Sequence, residues 1–392
     1  MATRLRIGAM ALAALVVSAR RRSDSDDACG DRPPSGTSAL QQRETEGLPS
    51  PLALWSLKAA VSCQAAPYHN RGRLPVTSDP EPGCDCGEDA FFIAAPTPST
   101  VAIGVADGVG GWRDEGVDPA EFSWSLMNTC RSQAELQGDS SQVRRKASTR
   151  RERRRRREEL AKSEGGDPRE LLRDAFSHML QCTPGPPAGG STACLASLNR
   201  SSGVLSIANL GDSGAVVLRN AEVILASRPQ QYSFNFPVQM AINLDGESGL
   251  ATPDQADFYT TTVQEGDVVV LMTDGILDNV NLATLQRAAE LLRDADPQEI
   301  ADTIIGISHT LSQSSFDSPF SIAAREAGFP FPARGKVDDM TVVVARVERA
   351  SEKPPPSESD RELLEQLRKR EGRPPWLRKR AWWRYQKKLS DR

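Results

Sequence analysis

At 392 residues the chain is long enough to bury a sizeable core, either as two or three domains or as one large domain with extensions. Its net charge of −4 conceals an imbalance: residues 361–392 carry 12 Lys or Arg against 4 Asp or Glu, so a basic tail follows a distinctly acidic body. The seven cysteines are odd in number and irregularly spaced, which argues against a disulfide framework and predicts free thiols in a reducing compartment. Cys84 and Cys86 form a lone CxC with no second Cys or His pair at ligand spacing, a weak signal for zinc.

The opening MATRLRIGAMALAALVVSARRRS combines Arg4, Arg6, Arg20, Arg21 and Arg22 with an apolar run from Ile7 to Val17 that is too short to span a bilayer. Residues 1–22 are read as a targeting segment. The arginines favour a mitochondrial (matrix) presequence; the compact apolar block and the small residues Val17 and Ala19 keep a secretory signal open, and a plastid address is a further alternative. No other segment is long and apolar enough to cross a membrane, so a soluble mature protein is expected. Residues 23–80, rich in Ser, Pro, Gly and charge, read as a low-complexity linker with a short ordered piece around Leu52 to Val61.

From Phe91 onward, strand-length apolar runs alternate with turn signals: FFIAA, TVAIGVA, TACLASL, VLSIANL, GAVVLRN, DVVVLM and MTVVVARV. Helical spacing covers 119–135, 168–182, 283–294 and 297–312. A strand-rich α+β domain is therefore predicted over 84–350. Within it, residues 138–166 carry five consecutive arginines from Arg153 to Arg157 and must form a solvated basic insertion. The tail, 351–392, gathers Trp376, Trp382, Trp383 and Tyr385 among basic residues, so 376–388 is a candidate contact for nucleic acid or an anionic membrane surface; the plainer reading is a solvated tail.

The acids carry the chemistry. Asp107 ends a strand that is apolar on both faces, and Asp274 ends another; Glu88, Asp89, Asp338 and Asp339 stand just before strands. Because antiparallel neighbours bring the start of one strand beside the end of the next, these acids can meet at one edge. A single Asp-Gly reads more simply as a hairpin turn, but several converging carboxylates repel and require a cation. They are expected to have no lysine or arginine partner, and an all-oxygen set points to Mg²⁺ or Mn²⁺, with Gly108 small enough for its carbonyl to approach an ion. Two such ions, bridged by a water whose pKa they lower, make a nucleophile for phosphorus.

In order, GEDAFF, GVADGVGGW, GGSTACLASL, LSIANLGDSGAVVLR, VVVLMTDGILDNV and VDDMTVVVARV resemble the metal-dependent serine/threonine protein phosphatases of the protein phosphatase 2C (PPM) family. RPQQYSFNFP, SPF at 318–320 and GVDPAEFSWSLM look like the mitochondrial branch. The resemblance implies an α/β/β/α sandwich of two antiparallel sheets flanked by helices, two Mn²⁺ or Mg²⁺ ions, and phosphoprotein substrates. It implies Asp107 as the bridging carboxylate, Gly108 as a carbonyl ligand, Asp89 and, through water, Glu88, and then Asp274 and Asp338, with Asp107 and Asp274 as the catalytic pair. Asp339 stands where many members have asparagine, and Asp212 matches an aspartate that shapes a hairpin. Two departures follow: Val109 replaces a histidine proposed as general acid, and Cys84 replaces a phosphate-holding arginine, for which Arg71, Arg73 or Arg113 are substitutes.

Two rivals remain. GDSG at 211–214 resembles a trypsin-like nucleophile motif around Ser213, but it has no companion His or Asp motif. A non-catalytic scaffold of the same family would bind partners through the tail, yet it need not keep all the acids.

Overall fold

The computed structural model describes residues 54–67, 85–137, 166–181 and 185–350. Residues 1–22, expected to be a targeting segment, most of the expected basic insertion, the tail, Arg71, Arg73 and Cys84 lie outside the described residues.

Two five-stranded sheets form the centre. The first runs β1 (Leu54–Gln64), β15 (Met340–Ala350), β14 (Val268–Met272), β7 (Gly214–Arg219), β8 (Glu222–Ala226). The second runs β13 (Asp257–Thr262), β6 (Val204–Leu210), β5 (Ala193–Asn199), β3 (Thr100–Asp107), β2 (Asp89–Ile93). Short strands β4 (Gly189–Ser191), β11 (Met240–Ile242) and β12 (Ser248–Leu250) form a third sheet, and β9 (Gln231–Ser233) pairs with β10 (Phe236–Pro237).

Alternation along the strands explains why both faces had to be apolar. On β3, Val101, Ile103 and Val105 pack with Val217, Leu271 and Val343 of the other sheet. Ala102 and Ala106 instead pack under Phe122, Leu126 and Met127 of α1 (Pro119–Gln137) and Leu172 of α2 (Pro168–Met179). On the far side, Val270, Val342 and Val344 pack against α4 (Leu282–Leu291) and α5 (Pro297–Ser312), through Leu285, Ile300 and Ile304. Helices on both outer faces of two packed sheets make the predicted α/β/β/α sandwich. Side chains of Asp167, Asn281 and Asp296 cap α2, α4 and α5 by accepting a backbone N–H of the first turn, with proline following the cap in α2 and α5.

Three expectations change. The short ordered piece expected around Leu52 to Val61 within the linker is an eleven-residue edge strand, β1, which belongs to the first sheet rather than to a linker. Cys63 at its end is disulfide-bonded to Cys86, with Cα atoms 5.1 Å apart, so these two thiols are not free; strand pairing brings them together across 23 residues, a proximity that spacing cannot show. Cys130 and Cys194 are free and buried, and burial pushes both thiols upward in pKa. Finally, GDSG is no hairpin: it carries the chain from β6 in one sheet to β7 in the other.

Candidate metal centre

Asp89 opens β2 and Asp107 closes β3, and the two are direct partners in the antiparallel register. Neither Asp107 nor Asp274 sits in a hairpin turn: a 3₁₀ turn (Gly110–Glu115) follows the first, and α3 (Asp274–Leu277) starts at the second. Asp338 lies at the same end, just before β15, and the β14–β15 pairing is extended by Thr273 N–H donating to the Thr341 carbonyl at 3.1 Å. The second sheet thus supplies Asp89 and Asp107, the first Asp274 and Asp338. Asp107 feels the charges of both Asp89 and Asp274, so the two sets lie within electrostatic reach of each other.

The supporting contacts are specific. Thr273 donates its hydroxyl to Asp89 Oδ2 at 2.8 Å, while the buried Asp89 Oδ1 has no hydrogen-bond partner among the described residues. The Asp107 N–H donates to Thr192 Oγ1 at 3.0 Å, and its carbonyl accepts from Ser191 Oγ at 2.8 Å. Thr192 Oγ1 also lies 2.7 Å from Ser213 Oγ; Ser213 is therefore a buried hydroxyl in a hydrogen-bond chain, which disposes of the protease reading. Gly108 donates its N–H to the Glu88 carbonyl at 3.1 Å, and a Cβ there would come 2.6 Å from the Pro119 carbonyl oxygen, so close packing alone requires glycine.

Burial is the first cause of the electrostatic strain. It pushes Asp89 and Asp107 well above the usual carboxylate range, helped by the charges of Asp339 and Asp274 respectively. Burial, then Asp274, raises Asp338 to about 6 and Asp212 to about 7. For Asp274, burial acts upward as well, but the Lys336 ammonium and its hydrogen bond outweigh it and hold the group low.

Four assignments need revision. The acids were expected to have no basic partner, yet Lys336, two residues before Asp338, reaches Asp278 Oδ2 at 2.6 Å, Asp274 Oδ2 at 2.8 Å and Asp338 Oδ2 at 3.0 Å. Glu88 is buried and its carboxylate is gripped by Arg113, Nε to Oε1 at 2.6 Å and Nη2 to Oε2 at 2.5 Å. The Glu88 carboxylate thus takes part in an ion pair, and of the candidate phosphate anchors Arg71, Arg73 and Arg113 only Arg113 lies among the described residues. Asp339 accepts the N–H groups of Ala66 and Glu88, each at 2.7 Å, which makes it a staple between loops. Asp212, taken as a hairpin residue, is a buried member of the acid cluster: Oδ2 accepts from Gln231 Nε2 at 2.8 Å and Oδ1 has no partner among the described residues. Its position between two apolar strands, like that of Asp107, was the available signal.

The site fits a hard cation. Two buried carboxylate oxygens lack partners among the described residues, burial and neighbouring negative charge push the pKa of Asp89 and Asp107 upward, and the donor set is all oxygen. One oxygen each of Asp274, Asp278 and Asp338 also lie within 4.8 Å of one another, a spacing able to hold a metal ion.

Known proteins share this architecture. The family profile described as Stage II sporulation protein E (SpoIIE) matches residues 97–348. Protein phosphatase PTC7 homolog fig of Drosophila mojavensis is 37% identical over 272 residues, spanning 67% of this chain and 78% of that protein. The Drosophila melanogaster protein of the same name is 34% identical over 269 residues, spanning 67% and 77%. The X-ray structure of the photosystem II phosphatase PBCP superposes with a TM-score of 0.56 at 27% identity, over 75% of this chain and 100% of that one. Sequence likeness of this extent, on a sandwich whose sheet ends converge in acids, places the chain in the PPM (protein phosphatase 2C) family of serine/threonine protein phosphatases.

Proposed function

We propose that Asp89, Asp107, Asp274 and Asp338 hold two Mn²⁺ or Mg²⁺ ions and that phosphoserine or phosphothreonine of protein substrates is hydrolysed there. The observation carrying this is the register pair Asp89–Asp107, with the charge of Asp274 acting on Asp107 and one Asp89 oxygen unpartnered among the described residues. When bound, hard divalent ions supply a water nucleophile at neutral pH and positive charge for the phosphoryl oxygens. The chain's own residues prepare that chemistry. Asp107 feels the charges of acids from both sheets, Thr273 fixes the Asp89 carboxylate, and Gly108, next to Asp107 in the chain, would offer its carbonyl as a further ligand. Arg113, about half exposed beside Glu88, is the group of the right charge and position to receive the substrate phosphate. The full chain should hydrolyse a phosphopeptide with added Mn²⁺, stop with EDTA, and lose activity in Asp107→Asn and Asp274→Asn. Activity that persists in chelator, or none with any divalent ion, would sink this reading.

We further propose, from Arg4, Arg6 and the Arg20–Arg22 run, that residues 1–22 direct the chain to the mitochondrion. A fluorescent fusion of residues 1–60 tests this, with a secretory or plastid pattern as the contrary result. Contact of 376–388 with nucleic acid or anionic lipid rests on its basic and aromatic residues, and loss of such binding on deleting 351–392 is its test. Among the described residues no helix is long and apolar enough to cross a membrane.

A further inference from the structure

Lys336 is set in place by its main chain. Asn279, buried two residues after α3 ends, accepts the Lys336 N–H at 2.9 Å and donates to the Lys336 carbonyl at 2.8 Å. From that clamp the side chain passes the Phe320 ring, with Nζ 5.0 Å from the centroid, and brings the ammonium within 3.4 Å of Asn235 Oδ1. It ends among Asp274, Asp278 and Asp338, within 3.0 Å of an oxygen of each. Holding a lysine side chain in one arrangement costs up to about 2 kcal/mol of rotamer entropy, so contacts at both ends of the residue argue for a built-in position.

Among the described residues, these three acids are the ones whose oxygens approach one another closely enough for a metal ion. Asp212, buried and with one unpartnered oxygen, adds its charge beside Asp274. Such a group of carboxylates needs a cation at its centre. An ammonium meets the need with one charge and N···O contacts of 2.6–3.0 Å. A hard divalent ion would sit closer, at about 2.0–2.1 Å for Mg²⁺, and the two cations would repel at this range, so the position admits one of them.

We propose that the Lys336 ammonium is a resident cation occupying the ion position framed by Asp274, Asp278 and Asp338, and that it thereby sets how many divalent ions the acid cluster accepts. Removing it opens a further divalent-ion site whose distinguishing ligand is Asp278. The inference rests on the two-ion reading for Asp274 and Asp338; Asp278 takes no part in that reading.

Mn²⁺ is the probe. The full chain and Lys336→Met, which keeps the stem and drops the charge, are stripped with chelator, and bound Mn²⁺ is counted by equilibrium dialysis with elemental analysis. The variant should bind one more Mn²⁺ per chain than the parent. Adding Asp278→Asn to Lys336→Met should remove the extra ion, whereas Asp278→Asn alone should leave the parent's number unchanged. Lys336→Arg, still cationic, should keep the parent's number. If Lys336→Met unfolds when stripped, Lys336→Gln purified in Mn²⁺ is counted in its place. Equal numbers in the parent and the neutral variants overturn the proposal, as does an extra ion in Lys336→Arg or one that survives Asp278→Asn. A parent that binds no Mn²⁺ overturns the two-ion reading by itself, since the role of Lys336 is read from the difference between chains.

Discussion

Asp89 and Asp107 stand opposite each other on adjacent antiparallel strands, two carboxylates side by side where most sheets place apolar residues. Without a cation their charges cannot both be present cheaply, since burial and mutual repulsion act in the same direction. Asp107→Asn should therefore separate stability from activity. In chelator its unfolding midpoint should rise by a few degrees, because a repelling charge has gone. With Mn²⁺ its phosphatase rate should fall more than about 100-fold, the upper figure for losing only a partner that supports a ligand. Calorimetry in the two conditions, with a phosphopeptide assay, checks both halves; a lower midpoint in chelator would contradict the repulsion argument.

The pH dependence of the metal-free chain follows from the same charges. Asp338 is raised to about 6 and Asp212 to about 7, against an ordinary value of 3.8. Between these limits the unfolded chain holds fewer protons than the folded one, so stability declines as pH rises. The contribution is complete below the ordinary value and gone once pH passes about 7. Asp274 is shifted downward and Lys336 upward, so both act outside this window. A scan in EDTA should find a higher unfolding midpoint at pH 5.5 than at pH 8, and saturating Mn²⁺ should stabilise most at the higher pH. A flat profile in EDTA would show that these acids are not strained.

Gly275 lets α3 pass the chain that leads into β15. A Cβ at this position would lie 1.9 Å from the Asp339 carbonyl oxygen, a backbone atom that cannot swing aside. Gly275→Ala should cost about 1–3 kcal/mol through overpacking and displace Asp274 with it. The expected result is a lower unfolding midpoint together with weaker Mn²⁺ binding by titration calorimetry.

The Cys63–Cys86 bond ties β1 to the loop that leads into Glu88 and Asp89. Closing a loop of that length contributes about 3 kcal/mol by restricting the unfolded chain. The double variant Cys63→Ser/Cys86→Ser, or the parent in dithiothreitol, should melt roughly 6–12 °C lower. An unchanged midpoint in reductant would show that the link adds nothing.

Much of the fold is legible because its core strands carry their signal locally. β3, β14 and β15 are apolar on both faces and each meets an acid at the site end, so strand, burial and candidate ligand can be read together from a dozen residues. β1 is legible only as a short ordered piece and not as part of the sheet: most of it is only partly buried, and it is ordered by pairing with β15, far along the chain. The helix α6 (Pro319–Glu326) carried an available cue, since Ser318 caps it and Pro319 follows. The charge partners were hidden for another reason. Arg113 and Glu88 are 25 residues apart, and Lys336 and Asp278 are 58 apart, so only the folded sheets bring them together.

The passage from β6 to β7 through Asp212 makes the two sheets neighbours in the chain as well as in space. With half of the proposed ligands on each sheet, ions at this end would act as a clasp that closes only when both halves are seated. Competence to cleave a phosphate ester would then be a certificate of assembly: a chain whose sheets have slipped apart loses its catalyst in the same event, and no half-folded form is left to dephosphorylate at random.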